Sequence, residues 1–140
     1  MKTKLSARLL AAVDALPLEE GFRVLEIGCG PGAAAREVAR RVGQGYVLAI
    51  DRSANAIRQA TKSSAAGIGP ATLSFRRVAI EDFELAGDEA PFDLAFATRV
   101  GALDGRHPEI EDKALARIRQ ALKPGGKLYV DGQLRFTKSS

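Results

Sequence analysis

The feature that most constrains this chain is a short apolar run that breaks into alternating glycines, Val24-Leu25-Glu26-Ile27-Gly28-Cys29-Gly30-Pro31-Gly32. A run this short, closed by glycine, reads as a buried strand rather than a helix. Ala34, Val38 and Val42 then recur at four-residue spacing up to Gly43, which predicts a helix opening directly from the loop. Strand, tight glycine turn and helix make the first part of a βαβ unit.

The rest of the chain repeats the alternation. Strands are predicted over 22–27, 46–50, 72–78, 92–97 and 127–130, with a turn or short helix at 81–83 and a loop from 101 to 108. An amphipathic helix is expected at the start, with Leu5, Leu9, Ala12 or Val13, and Leu16 on one stripe. Ser53 is placed to cap a helix running to about Ser64, with Ala56, Ile57 and Ala60 inward and Gly67, Gly69 and Pro70 ending it. Pro108 suits the first turn of a last helix, buried through Ile110, Ala114, Ile118 and Ala121 or Leu122. Lys123-Pro124-Gly125-Gly126 reads as a turn. The expected fold is α/β: a doubly wound, Rossmann-like sheet of about five parallel strands in the order 3-2-1-4-5, with helices on both faces. It forms one domain over 1–140, with an N-terminal helix within 1–17.

Composition narrows the chemistry. One cysteine and one histidine allow neither a disulfide framework nor a Cys/His zinc centre, and no Asp/Glu cluster has metal spacing, so no metal is expected. A reducing, cytoplasmic setting fits the single thiol. The apolar run Leu9–Val13 follows Lys2 and Lys4 but is bracketed by Arg8 and Asp14, too short for a secretory segment, and no run reaches the length of a membrane span. The formal charge is +4, and the pairs Arg40-Arg41, Arg76-Arg77 and Arg117/Arg119 are scattered, as solvated faces are. Without interleaved aromatics, a nucleic-acid partner is not indicated.

In a doubly wound sheet ligands bind at the carboxyl ends of the strands, where strand order reverses. The glycines at 28, 30 and 32 bring backbone close to a ligand and open onto a helix N-terminus. Asp51 stands at the tip of the second strand, where a carboxylate can accept both ribose hydroxyls of a nucleoside. Its alternative role, capping the next helix, is already filled by Ser53.

Taken in order, Val24–Gly32, Ala49-Ile50-Asp51, Ile80-Glu81-Asp82-Phe83, Phe92-Asp93-Leu94-Ala95-Phe96 and Leu122-Lys123-Pro124-Gly125-Gly126 resemble the motif set of class I S-adenosylmethionine-dependent methyltransferases, over about residues 20–131. The resemblance implies S-adenosylmethionine as cofactor and a small-molecule methyl acceptor. It implies that Gly28, Cys29, Gly30 and Gly32 form the cofactor loop, with Gly28 and Gly30 facing the ligand. Glu26 would hold the ammonium group, directly or through water. Asp51 would take the ribose hydroxyls and Arg52 would lie along the adenine. Ile80 and Glu81 would meet the adenine edge, with Glu81 or Asp82 accepting from its amino group. Thr98 and Arg99 would line the methyl-transfer chamber. Many relatives carry Asp where this chain has Ala79.

Catalytic residues are less marked, as expected for a displacement in which the cofactor supplies the electrophile. His107 is the lone histidine and a candidate base, or simply a helix-entry residue. Asp104 lies in the same loop, and Arg99 is a candidate for an acidic substrate. Cys29 reads as a packed residue rather than a nucleophile. The Asn/Asp-Pro-Pro-Tyr signature for amino-nitrogen targets is absent, its place taken by Ala97-Thr98-Arg99-Val100.

Two other readings stand beside this one. Gly28–Ala33 also satisfies a loose dinucleotide fingerprint, so an NAD(P)-binding oxidoreductase domain is one alternative, opposed by Glu26 and by the later motifs. A catalytically inactive cofactor-binding or partner module is the other. Relatives usually continue past the fifth strand into a helix and a hairpin, whereas nine residues follow Asp131 here. The fifth strand is therefore expected to be a bare edge, and bare edges pair. That predicts a homodimer through Leu134-Arg135-Phe136.

Overall fold

Strands whose side chains are apolar on both faces need cover on both faces. Val24 and Leu25 are neighbours on one strand and each is 0% exposed. The computed structural model describes residues 5–64, 69 and 72–140. Its strands are β1 (Arg23–Ile27), β2 (Tyr46–Asp51), β3 (Leu73–Arg77), β4 (Phe92–Ala97), β5 (Leu122–Val130) and β6 (Gln133–Thr137). They form one sheet in the order β3-β2-β1-β4-β5-β6. β1 to β5 are parallel, and β6 runs antiparallel to β5.

Helices α1 (Ala7–Asp14), α2 (Ala33–Arg41), α3 (Ala54–Ser64) and α4 (Pro108–Ala121) cover the sheet, with 3₁₀ turns at Ile80–Asp82 and Gly101–Leu103. Alternation along each strand sorts the core in two. Val24, Val47, Ala49, Leu94 and Phe96 pack with Val13 of α1 and Val38 of α2. Leu25, Ile27, Leu48, Ile50 and Leu128 pack with Ala114 and Ile118 of α4. By the same alternation Glu26 points to the face of α1 and α2.

The order 3-2-1-4-5 stands as expected, and Ser53 caps α3, its Oγ accepting from the Ala56 N–H at 3.1 Å. Three points are corrected or left aside. The sheet has six strands rather than five: β6 covers β5, so the bare edge expected there does not exist. Arg135 is tied to Glu111 at 2.7 Å and Phe136 lies under the Arg119 guanidinium at 4.0 Å, which leaves Leu134, 51% exposed, as the apolar residue on the new edge. The turn expected at Lys123–Gly126 is a bulge inside β5. Pairing with β4 jumps from Phe92↔Leu122 to Leu94↔Lys127, and the Gly125 N–H donates to the Lys138 carbonyl at 2.9 Å. Gly67 and Pro70, expected to end α3, lie outside the described residues. Among the described residues no helix is long and apolar enough to cross a membrane.

Candidate functional site

The chain lays down β1, β2 and β3 outward in one direction, then returns to place β4 on the other side of β1. The ends of β1 and β4 therefore flank the point where strand order reverses, and the loops there diverge to leave a crevice. The Gly28 and Cys29 N–H groups both donate to the Ile50 carbonyl, at 2.8 and 3.0 Å, which stitches the loop to the end of β2. Gly28 has φ of +71°, and a Cβ there would meet Val100 Cγ2 at 2.6 Å. Gly30 also has positive φ, +53°, but the space a Cβ would enter is empty for 4 Å. One glycine thus answers to crowding within the protein. The other leaves room above the loop.

Two lobes meet at Gly28. The larger, about 530 Å³, lies on the α4 side and includes Asp51, Arg52, Ile80, Glu81, Arg99 and His107 in its walls. The smaller, about 230 Å³, lies on the α1 side between the loop and Ser6, Arg8 and Leu9, with Glu26 and Thr98 in its lining. Gly28 and Arg99 belong to both. A ligand spanning the two lobes must pass this pair.

Each lobe holds a carboxylate of different character. Asp51 is half-buried: its Oδ2 accepts from the Gly30 N–H at 2.9 Å and its Oδ1 from the Ser53 N–H at 2.9 Å. These bonds fix its plane while leaving it on the lobe wall, since a carboxylate has lone pairs to spare. Glu26 is 3% exposed, and its Oε1 has no hydrogen-bond partner. Burial, with the Asp51 charge adding and Arg36 opposing, pushes its pKa up to about 8. An orphaned buried carboxyl oxygen facing a cavity is costly unless a cation or donor completes it.

Beneath the loop lies Arg36, 5% exposed, donating from Nη1 to the Pro31 carbonyl at 2.9 Å and to Ser64 Oγ at 3.1 Å. Sequence reasoning missed it. It falls on the buried stripe of α2, one turn past Gly32, and that register was its one visible signal. Arg106, Val100 and Ile110 also line the larger lobe and were not expected as site residues; Ile110 was expected only on the buried stripe of the last helix.

The remaining expected residues are placed as follows. Glu81 lines the larger lobe, whereas Asp82 is exposed and pairs with Lys113 at 3.3 Å. Thr98 lines the smaller lobe, and its Oγ1 is buried without a partner. His107 borders the larger lobe at the N-cap of α4 without a side-chain capping bond. Asp104 is bound to Arg106 instead, and the Arg106 backbone N–H with the guanidinium holds its carboxyl below the usual range. A carboxylate so stabilised is a poor proton acceptor. Cys29 is 7% exposed; burial, then the charges of Glu26 and Asp51, raise its thiol far above the usual range, which makes a thiolate nucleophile unfavourable.

This donor set fits S-adenosylmethionine. A fixed carboxylate stands at the end of β2 for a ribose diol, an acceptor-bearing residue at Glu81 for an adenine edge, an open approach to Gly30, and an unpartnered buried carboxyl at Glu26 for an ammonium.

Comparison with known proteins points the same way. Residues 24–126 match the model of the methyltransferase domain. The trans-aconitate 2-methyltransferase of Methylobacterium nodulans is 30% identical over 131 residues, covering 92% of this chain and 44% of that protein. The nocamycin O-methyltransferase of Saccharothrix syringae is 35% identical, covering 89% of this chain and 41% of its own length. A solved S-adenosylmethionine-dependent methyltransferase from Mesorhizobium loti superposes with a TM-score of 0.68 at 27% identity, covering 89% of this chain and 52% of that one. The chain spans less than half the length of the curated relatives it matches.

Proposed function

The chain belongs to the class I S-adenosylmethionine-dependent methyltransferase family, and on that premise we propose that it binds S-adenosylmethionine across the two lobes and promotes methyl transfer to a small-molecule acceptor. The observation that carries this reading is the buried, unpartnered Oε1 of Glu26, one lobe away from the tethered Asp51 carboxylate. A dinucleotide's pyrophosphate, anionic and without donors, offers nothing to complete that oxygen. An amino-acid ammonium suits it.

When bound, the cofactor supplies an electrophilic methyl group on a sulfonium. Every other task falls to the chain. Glu26 would accept from the ammonium, Asp51 from the ribose hydroxyls and Glu81 from the adenine edge, with Arg52 beside the ring. Ser6, Arg8 and Leu9 line the smaller lobe from the α1 side. Orientation of the acceptor at the Gly28–Arg99 junction accounts for most of the rate. His107, on the wall of the larger lobe, takes a proton where the acceptor has one to lose. The names of the relatives, for trans-aconitate and nocamycin, support a small molecule rather than a macromolecule as acceptor.

The test is turnover. The protein is incubated with S-adenosylmethionine and panels of small carboxylic acids, phenols and amines, and S-adenosylhomocysteine formation is read against a blank without acceptor. Formation above the blank with any acceptor supports the enzyme. Tight S-adenosylhomocysteine binding with no turnover across the panel would instead make the chain a cofactor-holding module.

A further inference from the structure

A third cavity, about 470 Å³, opens between α1 and the β5–β6 hairpin and shares Arg8, Thr98 and Arg99 with the smaller lobe. We propose that this cavity seats the methyl acceptor and selects small molecules bearing a carboxylate, which Arg99 and Arg8 receive. The inference rests on the cofactor reading given above.

Position is the first argument. Arg99 lines all three cavities, so it stands where the two cofactor lobes and the third cavity converge. Arg8, Thr98 and Arg99, shared with the smaller lobe, border the third cavity on the side of the Gly28 junction.

The backbone supplies the second. Arg99 has φ of +55° and Asp131 φ of +51°; they are the two non-glycine residues with positive φ among those described. Each such residue is strained and persists only where its surroundings hold it. Two bonds between the end of β4 and the β5–β6 turn hold this pair: the Asp131 N–H donates to the Ala97 carbonyl at 2.9 Å, and the Arg99 N–H donates to Asp131 Oδ1 at 2.9 Å. The strain fixes where the Arg99 side chain leaves the end of β4.

Charge is the third. The Arg99 side chain makes no hydrogen bond or ion pair among the described residues, although nine side-chain ion pairs occur among them. The third cavity has two arginines against one carboxylate, Asp131, so its lining carries a net positive charge. Thr98 Oγ1, buried and unpartnered at its base, offers a hydroxyl donor. Two guanidinium groups and a hydroxyl donor, against a single acid, favour a carboxylate over a neutral or cationic acceptor.

The probe is citrate, with neutral trimethyl citrate and sodium sulfate at matched ionic strength as controls. Melting temperature is read with S-adenosylhomocysteine in excess. Citrate is expected to raise it by several degrees beyond sulfate, and the ester to have no such effect. Arg99→Gly relieves the left-handed strain while deleting the charge, so it should melt close to the wild type without ligand and lose the citrate increment over sulfate. Arg8→Gln should lose part of it. An increment that survives in Arg99→Gly, or none in a wild type that S-adenosylhomocysteine does stabilise, overturns the acceptor inference and leaves the cofactor reading standing. A wild type that does not respond to S-adenosylhomocysteine overturns both.

Discussion

Asp51 Oδ2 accepts a hydrogen bond from the Gly30 N–H at 2.9 Å, so the carboxylate expected to hold the ribose also holds the middle of the glycine loop. Recognition and loop geometry depend on one side chain. Asp51→Ala removes both, and a hydrogen bond to a charged group is worth about 1.5–3 kcal/mol. The expected loss in S-adenosylhomocysteine affinity is about 10- to 100-fold by isothermal titration. Asp51→Asn keeps one acceptor for the loop, so it should retain the wild-type melting temperature more closely than Asp51→Ala while still losing affinity.

Glu26 makes stability depend on pH in a definite direction. Its folded pKa, raised to about 8 by burial, lies above its unfolded value of 4.5. Between these values the native state binds more protons than the unfolded state, so stability falls as pH rises. The contribution is complete below pH 4.5 and lost through about pH 8. Glu26→Gln keeps the shape of the neutral acid and has no proton to lose. In urea melts of the ligand-free protein it should gain on the wild type from pH 5 to pH 9 by a few kcal/mol. The same substitution should weaken S-adenosylhomocysteine binding. Wild-type binding near pH 7 should release a proton, seen as a dependence of binding enthalpy on buffer ionisation; equal enthalpies across buffers would contradict this role.

Gly28 and Gly30 should fail differently. Alanine at position 28 meets Val100 Cγ2 at 2.6 Å, so Gly28→Ala should destabilise the fold as well as the site. Alanine at position 30 meets nothing within 4 Å and bears only its positive φ, a cost of about 1–2 kcal/mol. Gly30→Ala should therefore fold, with a modestly lower melting temperature, and lose cofactor affinity because its methyl fills the approach to the loop. Retained affinity in a folded Gly30→Ala protein would show that the ligand does not lie against this glycine.

Arg36 is a positioning residue. Arg36→Met fills comparable space but removes the bonds to the Pro31 carbonyl and Ser64 Oγ. The expected loss is about 3 kcal/mol. Because its charge opposes the rise in the Glu26 pKa, the variant should also move the pH dependence of binding to higher pH. A purely structural role would leave that profile in place.

The parts of this molecule that sequence disclosed are those where one physical rule dominates. β1, β2 and β4 are buried on both faces, so they stand out as short, mostly apolar runs. Gly28, Gly30 and Asp51 stood out because alternating glycines after one strand, with a carboxylate at the tip of the next, form a distinct local pattern. β6 was not visible: four of its five residues are exposed, and an edge strand with one apolar contact, through Phe136, has no alternation to detect. Lys123-Pro124-Gly125-Gly126 carries turn chemistry and uses it, but inside a strand, where tertiary pairing with β4 decides the context. Arg36 was passed over because a charged residue on a helix is ordinarily solvated, and only the loop above it explains its burial. The third cavity depends on how α1 meets the β5–β6 hairpin, a long-range contact that no local pattern encodes.

The central claim is that the two lobes hold S-adenosylmethionine. The most direct measurement is the melting temperature of the protein with S-adenosylmethionine, S-adenosylhomocysteine or NAD, each at saturating concentration. A ligand at about a hundred times its dissociation constant stabilises the native state by about 2.7 kcal/mol. For a chain of this size that is a rise of about 10 °C. The account predicts that rise with both sulfur compounds, little with NAD, and its loss in Asp51→Ala. No rise with either sulfur compound, or an equal rise with NAD, would contradict it.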